Sequence, residues 1–362
     1  MRLELVARAE PSRPMVYWAP VFAALLSVLG VAALFAMLGR NPIQALDILF
    51  LHPLSTVDGL SELALKATPL LLCALGIAVG VRAQVWNIGA EGQFTMGAIA
   101  GAGVALAFGG QDHFWLLPAM FVAAVAGGAA WGAVPALLKT RFNAHEILTT
   151  LMLNYVAVQF LGFLVHGPWR DPQGYSFPQS PQFEPDALLP MLVEGTRLHI
   201  GGVLAVLVVP AAWVLLGKTL LGFQIRVVGL APAAARYAGF PQVKIVWFCL
   251  MFSGGLAGLA GLFEVAGPIG QLTPVISPGY GYAAIIVAFL GRLHPLGILL
   301  ASLLMALLYL GGEGLQMTLQ LPLAVTGVTQ GMLLFFLLAC DVLIAYRVRL
   351  HRRVSTLEVA HA

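Results

Sequence analysis

"VWNIGAEGQF", Val85–Phe94, sets a carboxylate, an asparagine and a glutamine between two apolar runs. Gly89 and Gly92 flank Glu91, and Gly97 follows shortly after. What such a patch means depends on what surrounds the chain. Of 362 residues, 60% are hydrophobic and only 10% charged, with a mean hydropathy of +0.90. A soluble domain carries about 25% charged residues. Lipid is therefore the solvent for most of this chain, and the protein is an integral membrane protein. A carboxylate at a helix centre in lipid costs about 2.5–3.5 kcal/mol on insertion scales, so it faces protein or a water-filled path. Glycines let helices break, and freed backbone groups then line a cavity or bond a side chain. Two roles stay open for Glu91 with Asn87 and Gln93: bracing a broken helix, or lining a path. The charge map favours the hinge.

Outward from this patch, runs of about 20 apolar residues are the unit of a spanning helix. They fall near 15–38, 62–81, 93–109, 114–138, 147–168, 199–217, 243–265, a broken pair at 283–290 and 296–312, and 325–346. The expectation is an all-α polytopic protein with about ten transmembrane segments. The run at 15–38 exceeds the roughly 7–15 residues of a signal h-region and reads as a retained first helix. With both termini cytoplasmic, fifteen of the 19 basic residues fall inside, including Arg82 just before the patch. That bias sets orientation in membranes. A net charge of +3 makes no case for nucleic acid.

Two loops stand out. Residues 169–198, "WRDPQGYSFPQSPQFEPDALLP" and beyond, are polar, Pro-rich and extracytoplasmic in this map. They separate a first half, 15–168, from a second, 199–346, within one domain covering 1–362. Five segments on each side permit a 5+5 inverted repeat with a site at its interface. Segment 8 then answers segment 3, and the "SPGYGY" before it, Ser277–Tyr282, adds Tyr280 and Tyr282 to the path or hinge candidates. The second loop, 218–244, is cytoplasmic, with four basic residues and no acidic one. Within it "APAAARYAGF", Ala231–Phe240, predicts a short helix: Pro232 suits a first turn, the alanines favour helix, and Gly239 suits the stop. Such a helix is either a plain connector or a plug for a groove in a soluble partner.

Other features carry less. Glu264, Glu313 and Asp341 lie near span ends, as boundary residues or gates. Cys73, Cys249 and Cys340 sit in apolar runs as packing residues. "GKT" at Gly217–Thr219 resembles a phosphate loop, but Ala212 stands where that motif needs glycine, and a span precedes it instead of a strand. His145 beside Glu146 reads as a solvated or capping residue. There is no Ser/His/Asp arrangement, metal motif or catalytic carboxylate pair, so no enzyme chemistry is expected.

The chain resembles the permease subunits of bacterial ABC importers for simple sugars, branched-chain amino acids and nucleosides. "VWNIGAEGQFTMGAIAG" looks like the signature of the nucleoside branch, and "GFQIRVVGLAPAAARYAGF" resembles its cytoplasmic loop. "SGGLAGLAG", "GYGYAAIIVAFLGRLHPLG", "GGEGLQ" and "NAHEILTTLMLNYVA" match in order, over roughly residues 60–340. Two departures stand out: Ala231 replaces the usual asparagine before the proline, and Ala144-His145 displaces a carboxylate. The resemblance implies a bacterial inner-membrane protein forming half of a path for a nucleoside-like solute. It implies a second permease subunit, a cytoplasmic ATP-binding subunit and an extracytoplasmic solute-binding lipoprotein. ATP and Mg would be bound by the ATPase, with no cofactor in this chain. The helix at Pro232 would couple to that ATPase through Gly229, Pro232, Ala234, Ala235, Arg236, Ala238 and Gly239. The path or hinge set is Asn87, Gly89, Glu91, Gly92, Gln93, Tyr280 and Tyr282. Alternatives are the same machine carrying a simple sugar, an ion-coupled secondary transporter using Glu91, and a passive membrane scaffold.

Overall fold

The computed structural model describes residues 2–8, 13–110, 113–322 and 324–351. In chain order these form β1 (Arg2–Ala7), α1 (Arg13–Met37), α2 (Pro42–Leu46), α3 (Val57–Arg82), α4 (Ala90–Phe108), α5 (Leu116–Phe142) and α6 (Glu146–His166). Then come α7 (Gly201–Lys218), α8 (Leu220–Leu230), α9 (Pro232–Tyr237), α10 (Gln242–Glu264), α11 (Tyr280–Leu290), α12 (Pro295–Leu319), α13 (Ala324–Ala345) and β2 (Tyr346–His351). The Asp341 side chain and the basic residues Arg352 and Arg353 lie outside the described residues.

The helical, polytopic character holds, but the expected ten segments do not. Among the described residues six helices are long and apolar enough to cross a membrane: α3, α5, α6, α7, α10 with its continuation to Ile269, and α12. The shortfall has local causes. α4 has 19 residues, but Glu91 and Gln93 in its first turn lower its apolar content. α11 has only 11 residues, about 16 Å at the helical rise, roughly half of a hydrocarbon core. It stops where Arg292 and Leu293 both take positive φ, 53° and 55°. Six spans do not divide five and five, so the expected inverted repeat falls with the count. The ten-segment map that set both termini in the cytoplasm falls with it.

Two compact units share the chain: residues 53–310, and residues 1–52 with 311–362. In the larger unit α10 packs against α3, α4 and α5. Its "SGGLAGLAG" and the glycines of α4 and α5 explain how. A methyl on Gly97 would strike the Gly258 backbone, and one on Gly128 would strike the Gly254 carbonyl. Small residues of this kind let membrane helices approach backbone to backbone. α3 is buried along most of its apolar length. Thr56 caps its N-terminus by accepting the Gly59 N–H at 3.0 Å. The 169–198 loop is strapped down by main-chain bonds, Ser180 N–H to Leu272 O at 2.9 Å, Phe183 N–H to Gly270 O at 2.8 Å and Leu189 N–H to Ala266 O at 2.9 Å. The Arg197 guanidinium grips the Glu62 carboxylate with two bonds of 2.8 Å.

In the smaller unit α1 packs on α13, and Gly30 lies against Met332 and Phe336. β1 and β2 pair antiparallel, from Arg2 opposite His351 to Ala7 opposite Tyr346. This two-stranded ribbon has no counterpart in the sequence reading.

Candidate functional site

The Val85–Phe94 patch is a break between helices. α3 closes at Ala83, Gln84 turns the chain with φ 57°, and Val85 to Ile88 run without regular structure. Val85 and Asn87 are nonetheless buried. Irregular backbone at membrane depth persists only where other groups take over its hydrogen bonds. Side chains do so here. Asn87 Oδ1 accepts the Gly89 N–H at 3.0 Å, and its amide donates to Gln93 Oε1 at 2.7 Å and to Ser253 Oγ at 2.9 Å. Asn154 of α6 reaches across: its amide donates to the Ile88 carbonyl at 2.9 Å, and its Oδ1 accepts the Gly92 N–H at 2.8 Å. Thr150, one turn earlier, accepts the Ile88 N–H at 3.3 Å. The glycines fit the same scheme, since a Cβ on Gly89 would press on Thr150 and one on Gly92 on Asn154.

Glu91 turns the other way. Its carboxylate accepts the Gly281 N–H at 2.7 Å, and Ser277 and the Tyr282 N–H also bond to it. The two N–H groups are first-turn donors of α11, where an unmatched N–H set and the positive end of the helix dipole favour an anion. Gly279, at φ 96°, supplies the turn into that helix. The N-termini of α4 and α11 thus meet. Gly281 is packed so closely on Ala90 and Glu91 that any side chain would collide with their backbone. The two tyrosines separate. Tyr280 is 2% exposed, edge-on to Tyr309 at 5.6 Å and tilted against Phe94 at 6.4 Å. Tyr282 is 39% exposed, and its hydroxyl accepts from Asn154 at 3.1 Å.

Beside this junction opens a cavity of about 470 Å³ lined by Glu91, Asn154, Tyr155, Gln159, Ser277 and Tyr282, among others. Of the residues singled out in the sequence, Glu91 and Tyr282 line it. Asn87, Gly89, Gly92, Gln93 and Tyr280 build the junction behind it. The sequence reading passed over Asn154, Tyr155, Gln159 and Ser277. Their signal was present: polar side chains four and five apart in an otherwise apolar span, and a serine just ahead of a glycine-rich helix start.

The residues of the 218–244 loop lie elsewhere. α9 forms as its sequence predicts, with Pro232 in the first turn, and Gly239 follows at φ 74°. Ala235 is fully buried in an apolar cluster with Val79, Ile225, Val228, Ile245 and Cys249. Pro232, Ala234, Arg236, Ala238 and Gly239 are exposed, and Tyr237 is 98% exposed. Gly229 is different in kind: a methyl there would strike the Arg82 carbonyl, so it packs α8 onto the end of α3. Arg82 itself donates to the Leu293 carbonyl at 2.7 Å and fixes the turn after α11. "GKT" is a helix start: Thr219 caps α8 by accepting the Gly222 N–H at 3.0 Å, and the Lys218 ammonium lies 5.6 Å from the Trp213 ring. His145 stands at the N-cap of α6, and Glu146 pairs with Lys139. Glu264 ends α10 and Glu313 lies within α12, each half-buried. Among the described residues no group of three His, Cys, Asp or Glu could hold a metal ion.

Residues 59–338 match the family model described as branched-chain amino acid transport system / permease component. The chain is 35% identical over 360 residues to the glucose ABC transporter permease protein TsgB13 of Haloferax volcanii, covering 96% of this chain and 94% of that one. It is 30% identical to the guanosine ABC transporter permease protein NupP of Bacillus subtilis, covering 88% and 91%. With the nucleoside ABC transporter permease protein NupB of Lactococcus lactis it shares 29%, covering 82% and 84%. A multi-pass membrane chain with a helix break braced by buried amides, matching these proteins nearly end to end, belongs to the permease-component family of ABC transport systems.

Proposed function

We propose that this chain forms half of the path of an ATP-driven importer for a nucleoside-like or sugar-like solute. The solutes named for its relatives, glucose, guanosine and nucleosides, support that class. The observation that carries the reading is α9. A six-residue helix anchored through one buried alanine turns its remaining face, with Arg236 and Tyr237, to solvent. That geometry suits a rigid lever seated in a groove of a cytoplasmic ATPase. A second permease subunit would complete the path, and an extracytoplasmic binding protein would deliver solute.

The test uses membrane vesicles containing the assembled transporter. Tyr237→Ala and Ala234→Glu are expected to cut ATP-driven uptake at least about tenfold, the loss expected for an aromatic anchor, while the chain still inserts. Normal uptake and normal ATPase recruitment in both variants would remove α9 from the coupling role. Uptake driven by a proton or sodium gradient without the ATPase would replace the reading with ion-coupled transport. Glu91 gives that alternative little support, because its carboxylate is engaged by the first turn of α11.

A further inference from the structure

The importer reading leaves open which part of the chain meets the solute and what solute chemistry that part accepts. The cavity beside the Glu91 junction has about 470 Å³, within the roughly 300–1,000 Å³ of small-molecule sites. Its polar lining divides in two. Asn154 is wholly engaged in holding the helix break, and Ser277 bonds Glu91 and accepts the Gly279 and Tyr280 N–H groups at 3.0 and 2.9 Å. Tyr155 and Gln159 are different. They stand four residues apart on α6, one above the other on the same helix face. Both are exposed, Tyr155 to 62%. Among the described residues, neither side chain makes a hydrogen bond within the chain. A glutamine amide and a phenol on a spanning helix are costly toward lipid, and the bracing of the fold does not need them.

We propose that Tyr155 and Gln159, with the Tyr282 hydroxyl, form the solute-contacting wall of the path, and that this wall takes an uncharged solute bearing a hydroxylated ring. The inference rests on the importer reading. The amide and the two phenols offer donors and acceptors together, which suits hydroxyl groups that also do both. The Tyr155 ring offers a face on which a sugar ring or a base can lie. Charge sets the limit. The cavity lining carries a carboxylate, Glu91, and no lysine or arginine. A phosphorylated solute would meet that carboxylate with no cation to offset it. Nucleosides and free sugars pass this filter; nucleotides and sugar phosphates do not.

The experiment uses vesicles holding the complete transporter, with radiolabelled uridine, glucose and uridine monophosphate as probes. Gln159→Leu and Tyr155→Leu are expected to lower uptake of the transported probe at least about tenfold, the effect of losing one solute hydrogen bond. A second measurement does not depend on those variants folding well. The chain's own cysteines are all buried, so Gln159→Cys places one accessible thiol in the cavity. The transported probe is expected to slow its modification by a membrane-impermeant thiosulfonate. Absence of ATP-driven uptake of every probe by the wild-type transporter would remove the importer reading and this site with it. Wild-type uptake matched by both leucine variants, with no protection at Gln159→Cys, would overturn the site alone. Uptake of uridine monophosphate at the rate of uridine would overturn the restriction to uncharged solutes.

Discussion

Single residues divide into those that hold the backbone and those left over. Asn154 belongs to the first group, with two bonds to a main chain that has no helical partners of its own at Ile88 and Gly92. Asn154→Ala leaves a buried carbonyl and a buried N–H unmatched, each costing about 1–3 kcal/mol. The expected result is a clear fall in the melting temperature of the detergent-purified protein. Asn154→Leu, of similar volume, should do no better, because the lost term is polar. His199 makes the same point outside the spans. It is buried, and its Nδ1 accepts the Gly201 N–H at 3.1 Å, so the ring is neutral. Burial pushes it from the usual 6.5 down to about 4. Between those values the unfolded chain binds a proton that the folded chain refuses. Stability is therefore full above 6.5 and falls as the pH drops toward 4, by up to about 3 kcal/mol. Melting curves at a series of pH values should show this slope, and His199→Gln should flatten it.

Elements add what residue types alone do not reveal. The glycines of α4, α5 and α10 were visible as a composition, but only their meeting gives them a role. Gly97 and Gly258 face each other with no room for a methyl. Gly97→Leu is expected to separate α4 from α10 and destabilise the protein by at least about 1–3 kcal/mol. Leucine at Gly162 of α6, where nothing lies within 4 Å, should cost far less in the same thermal assay. α9 was legible in full, because proline, alanines and a terminal glycine are local signals that need no tertiary partner. The break before α4 was legible as a break, from its glycines and polar residues. Its division of labour was not. Asn87 and Gln93 look as functional in sequence as Glu91, and only the fold turns them inward, Asn87 to Ser253 and Gln93 to Asn87, while Glu91 turns to α11. Span counting failed for a related reason. Hydropathy averages over a window, and it cannot tell a half-length helix meeting another helix end-on from one that crosses.

At the scale of the whole molecule, composition fixed the solvent and the family likeness fixed the class, while the division of the chain was hidden. Residues far apart in sequence, Arg2–Ala7 and Tyr346–His351, pair as a ribbon that no hydropathy reading contains. The chain's nucleotide-like motif, "GKT", is a helix cap. Photolabelling the purified transporter with an azido-ATP should therefore mark the ATPase subunit and leave this chain unmarked. Lys218→Ala should keep uptake within about twofold of wild type, since surface changes of this kind are nearly neutral.

Glu91 ties α4 to α11, and Asn154 ties α6 to both. The three walls of the cavity are stitched to one another by hydrogen bonds through buried atoms. None of them can swing outward alone without leaving a donor or acceptor bare. Such a surface is a rigid half-mould; if the proposed wall meets the solute, the opening and shutting around it falls to the piece pressed against that wall.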